Sequence, residues 1–84
     1  MHEKSLMDDL MKKIIQLAGK AKVVKVSVKL GALSHMSREH FKEHFDVAAM
    51  DTIAQGAQIE AEESQDIHDP HATTVILRSI HVAE

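Results

Sequence analysis

The chain has 84 residues, 44% of them hydrophobic, and a formal net charge of -3 with neutral histidines. That length allows one small domain, spanning 1–84, which buries only about 60% of its unfolded surface, and the hydrophobic share excludes a disordered chain. No basic run marks a nucleic-acid surface, no apolar run approaches the roughly 20 residues of a membrane span, and the lack of cysteine excludes disulfides and thiolate metal sites, so a cytoplasmic domain without a signal peptide is expected.

Residues 4–18, KSLMDDLMKKIIQLA, have helical periodicity. Leu6, Leu10, Ile14 and Leu17 form one apolar stripe, widened by Met7, Met11, Ile15 and Ala18. Asp8, Asp9, Lys12, Lys13 and Gln16 fill the other face, with acid before base as the helix dipole prefers. Gly19 is the expected stop. Residues 22–30, KVVKVSVKL, alternate strictly, with Val24, Val26, Val28 and Leu30 expected inward and Val23, Lys25, Ser27 and Lys29 outward. Gly31 breaks the strand and LGALS makes a turn.

Ser37 is placed to cap a second helix over roughly 37–51, which turns Phe41, Phe45 and Ala48 to one face. QIEAEE alternates again, with Ile59 and Ala61 inward. Residues 64–73 hold the only proline and read as a loop. TTVILRSIHV is the last strand, and its pattern has a phase break. Val75 and Leu77 share one parity, Ile80 and Val82 the other. A β-bulge at Arg78 or Ser79 would put all four on the core face. The predicted fold is α/β (α+β): two helices packed on one face of a three-stranded mixed β-sheet, order α-β-α-β-β. A strand–helix–strand unit favours a parallel crossover, and the last two strands are expected to pair as a hairpin.

Histidine is the anomalous residue, with seven in the chain. Its imidazole titrates near neutrality and is the commonest metal ligand. His40 and His44 stand at i and i+4 on the second helix, a spacing that can hold a metal, although a solvated polar face is the simpler role. His68 and His71 form H-D-P-H in the 64–73 loop, with Asp66 and Asp69 nearby. A loop site of this kind is expected to bind weakly, because nothing orders its ligands beforehand. His35 follows LGALS, and His81 is expected outward on the last strand. No cysteine nucleophile, no serine with an evident base and no glycine-rich phosphate loop is present, so an enzyme is not expected.

The sequence resembles the HypA/HybF family of nickel-insertion proteins. MHEKSL resembles the family's opening, and KVVKVSVKLGALSHMSREHFKEHFDV its strand, Gly-Ala-Leu-Ser turn and second helix with paired phenylalanines. TIAQGAQIEAEE and LRSIHV resemble the later strands. The departure is the family's zinc domain, which carries two Cys-x-x-Cys pairs between the last two strands. This chain has no cysteine, so loop 64–73 takes that domain's place and no zinc is expected at a cysteine site. The resemblance implies a nickel metallochaperone that loads nickel–iron hydrogenase or a related metalloenzyme with Ni(II). It also implies a hydrogenase-maturation GTPase (HypB-like) and the metalloenzyme client as partners.

The opening Met1-His2-Glu3 has a chelating chemistry of its own. A free α-amine has a pKa of about 7.7–8.0 and gives up its proton to a metal at little cost near neutrality. The amide nitrogen between Met1 and His2 can deprotonate under a metal, and the His2 imidazole completes two fused rings. The Glu3 amide or an outside ligand fills the fourth position. Planar nitrogen donors favour Ni(II) or Cu(II) over tetrahedral Zn(II), and Cu(II) binds the more tightly by the usual order. The chelate requires Met1 to remain and its amine to be free. In the resembled family His2 is the key nickel ligand, and Glu3 tunes the site.

Two alternatives stand beside the nickel reading. One is a Cu(II)-binding variant. The other is a metal-independent adaptor or assembly module, in which an exposed strand edge and the Met7/Met11 stripe meet a partner or form a homodimer. Core packing is the simpler role for those methionines.

Overall fold

A computed structural model describes residues 3–83, with side chains from residue 5 onward. The elements are α1 (Glu3–Ala18), β1 (Val23–Leu30), α2 (Arg38–Ala48), β2 (Gln58–Glu63) and β3 (Val75–Val82). This is the expected order, and the helix and strand bounds fall within a few residues of the sequence reading.

The sheet order is β2-β1-β3. β1 pairs parallel with β2, as the crossover through α2 requires, and antiparallel with β3. The expected hairpin between the last two strands is not formed. β3 instead crosses to the far edge, which leaves β1, the most deeply buried strand, in the centre. There Val23, Val26, Val28 and Leu30 are all buried. α1 packs on β3, α2 on β2, and the helices on each other.

Two register shifts interrupt the β1–β3 ladder. In β3, Ser27 pairs with Ser79 and Val28 with Leu77, so Arg78 is the extra residue, where the phase break placed it. The bulge brings Val75, Leu77 and Ile80 against the core, while Val82 stays 38% exposed rather than joining them. In β1, Val23 pairs with Val82 and Lys25 with His81, so Val24 is extra. Strict alternation therefore fails at the start of β1: Val23 is fully buried and Val24 is 45% exposed, the reverse of the expected order.

Met7, Leu10, Met11 and Ile14 form the buried face of α1, and Phe41, Phe45 and Ala49 complete the core from α2 and its C-terminus. The Met7/Met11 stripe is thus core packing and presents no docking surface. Leu17, placed on the predicted stripe, is 67% exposed beside a groove between α1 and β3. The outer sheet face is polar, with Lys25–Glu60 at 2.7 Å and Arg78 paired with Glu62.

Candidate metal centre

α1 leads into β1 through a short connection, and α2 joins two parallel strands. Both helices therefore run against β1, and their N-termini lie at the end of the domain where β1 finishes. The LGALS turn and loop 64–73 lie at that end too. Leu6, Leu33, His35, Met36, Thr73 and Val75 line one depression there.

LGALS builds this end through its backbone. The Ser34 N–H and hydroxyl both donate to the Gly31 carbonyl, at 3.0 and 2.7 Å, which closes the turn. Gly31 N–H donates to Thr74 O at 2.9 Å and Leu33 N–H to Ala72 O at 2.7 Å, stitching the turn to the chain entering β3. His35 leaves the turn in the left-handed region, φ 58°, with its side chain exposed. The motif's roles among the described residues are architectural.

Of the predicted chelate, Met1 and His2 lie outside the described residues. Glu3 is the first residue of α1, and its side chain also lies outside them. His40 and His44 come together: their Nε2 atoms are 2.8 Å apart and their ring centroids 4.5 Å. Both side chains are half-buried, and each has a further interaction beyond this pair. The solvated face expected for them is thus only partly exposed. Ser37 caps α2 by accepting from the His40 N–H at 3.1 Å, as its position in the sequence indicates.

Loop 64–73 is ordered by its own side chains. Asp66 Oδ1 accepts from the His68 N–H at 2.9 Å and Asp69 Oδ1 from the His71 N–H at 2.8 Å. Asp69 also pairs with Lys29 at 3.3 Å. The His71 N–H first, and Lys29 second, hold the Asp69 carboxyl below the usual aspartate range. His68 is exposed, and His71 borders the α1–β3 groove with Leu6 and Asp9. His81 lies outward on β3, as expected. Among the described residues no three His, Asp or Glu side chains converge as a metal cage.

That so many histidines gather at one end is not visible in the sequence. His35, His40, His68 and His71 belong to segments clustered where the helices begin, and His44 is one turn further along α2. Alternation and spacing carry no such information, because the grouping depends on which way each helix runs against the sheet.

Fold and site together define a small α+β domain with a histidine-rich end and no helix long and apolar enough to cross a membrane among the described residues. Residues 1–68 match the family described as hydrogenase/urease nickel incorporation, metallochaperone, HypA. The chain belongs to that family of nickel-handling metallochaperones. A search of curated proteins found no match.

Proposed function

We propose that this domain carries Ni(II) at its N-terminus, through the Met1 amine, the amide and imidazole of His2 and the backbone of Glu3. It hands the ion to nickel–iron hydrogenase or a related metalloenzyme, with a HypB-like GTPase as partner. Loop 64–73 stands in place of the family's zinc domain, so 1–84 acts as one nickel-handling domain. The observation that carries the reading is the family match over residues 1–68, which includes both the MHE start and the LGALS turn.

The start of α1 at Glu3 adds a physical argument. A helix N-terminus disfavours a nearby cation by about 0.3–1 kcal/mol. Several nitrogen–metal bonds outweigh that, yet the sign favours release, which suits an ion that is cargo.

The test is calorimetric titration with Ni(II) and an absorption spectrum, on protein with a free Met1 amine. Two controls stand beside it: a His2→Ala variant and a protein with one residue added ahead of Met1. A tight equivalent of Ni(II) with a planar d–d band is expected in the free-amine protein, and both controls should lose that tight equivalent and its band. Equal binding by all three overturns the terminal site. Binding of Cu(II) but not Ni(II) at that site would make the cargo copper.

A further inference from the structure

We propose that His40 and His44 form a second cation site, a two-imidazole clamp for Ni(II) on the first turns of α2. It does not require the terminal chelate and is separable from it.

The geometry carries the argument. Two nitrogen ligands about 2.0–2.1 Å from a metal lie about 2.9 Å apart when they subtend about 90°, and about 3.4 Å apart at a tetrahedral angle. The two Nε2 atoms are 2.8 Å apart, the bite of neighbouring positions in a square-planar or octahedral ion. Ni(II) takes such geometry, whereas structural Zn(II) sites are almost always tetrahedral.

The pair is also held in place. Phe41 and Phe45, each next in sequence to one of the histidines, are 0% and 1% exposed and fix the rotation of α2. Ser37 anchors its first turn. Half-burial restricts both side chains. Ordering ligands before the metal arrives lowers the entropic cost of binding. With only two protein nitrogens in the clamp, water fills the remaining positions, so binding is weaker than at a three-nitrogen chelate and the ion exchanges readily. The clamp lies at the end of the domain where α1 also begins.

Without a metal the same contact is a hydrogen bond, one ring nitrogen donating and the other accepting. The experiment separates these roles. Ni(II) alone is titrated into the His2→Ala protein and into the same protein carrying His40→Gln and His44→Gln. Retained one-to-one binding in the first, weakened at least tenfold in the second, is expected. In the His2→Ala protein, Ni(II) should also selectively broaden the imidazole NMR signals of His40 and His44. That readout needs no further substitution and stands even if the triple variant misfolds. Absence of Ni(II) binding in the His2→Ala protein, or broadening that spares both rings, overturns the clamp. If His2→Ala leaves binding unchanged while the two glutamine substitutions abolish it, the clamp stands and the terminal chelate falls.

Discussion

The α-carbon of Gly31 lies so close to the carbonyl of Ala72 that a β-carbon at Gly31 would overlap its carbon and oxygen, and the Thr74 oxygen as well. Backbone hydrogen bonds at 2.7 and 2.9 Å hold the two segments in that contact. The glycine of LGALS is thus required by close approach of backbone to backbone, where no flexible side chain can give way.

Gly31→Ala should therefore destabilise the domain by about 2–3 kcal/mol, as overpacking against rigid neighbours does. Urea unfolding should show a lower midpoint with an unchanged slope. A midpoint equal to wild type would mean that loop 72–74 moves aside freely.

The bulge at the start of β1 gives two adjacent valines opposite roles. Val23→Thr buries a hydroxyl among apolar side chains and should cost about 1–3 kcal/mol. Val24→Thr, on the exposed side, should stay within about 0.5 kcal/mol of wild type. Urea midpoints of the two variants decide it, and a larger loss at Val24 would restore the strict alternation.

Asp69 links pH to the ordering of loop 64–73. Its carboxyl titrates lower in the folded chain, so its contribution is present above the unfolded pKa and disappears as pH falls through the folded one. Asp69→Asn keeps an oxygen for the His71 N–H and removes the charge facing Lys29. The variant should be less stable than wild type at pH 6, and the gap should narrow below about pH 4, near the unfolded aspartate value. Urea unfolding across that range measures it, and a gap independent of pH would mean that the fold does not lower the Asp69 carboxyl.

Ser37 closes the first turn that carries His40. Ser37→Ala should cost about 1 kcal/mol, and Ser37→Gly only a few tenths. Thermal unfolding of both variants tests the cap. Equal losses would assign its effect to backbone conformation rather than to the hydroxyl.

The pattern of residues along the chain determined both helices, the three strands, the Ser37 cap and the β3 bulge. Each follows from local sterics and from the period at which apolar side chains recur. The chelating character of Met1-His2-Glu3 is equally local, since the donors are neighbours in the chain. The i,i+4 spacing of His40 and His44 was legible for the same reason. Their 2.8 Å approach was not, because side-chain rotamers are set by what packs around α2.

Only the tertiary structure decided which strand sits in the centre, that Val23 rather than Val24 enters the core, and that Leu17 stays exposed. It also gathered the histidine-bearing segments at one end. These are outcomes of long-range pairing. β3 has a second possible edge, and it takes the one where α1 covers Val75, Leu77 and Ile80. That choice balances burial over the whole sheet, and no window of sequence contains both sides of the balance.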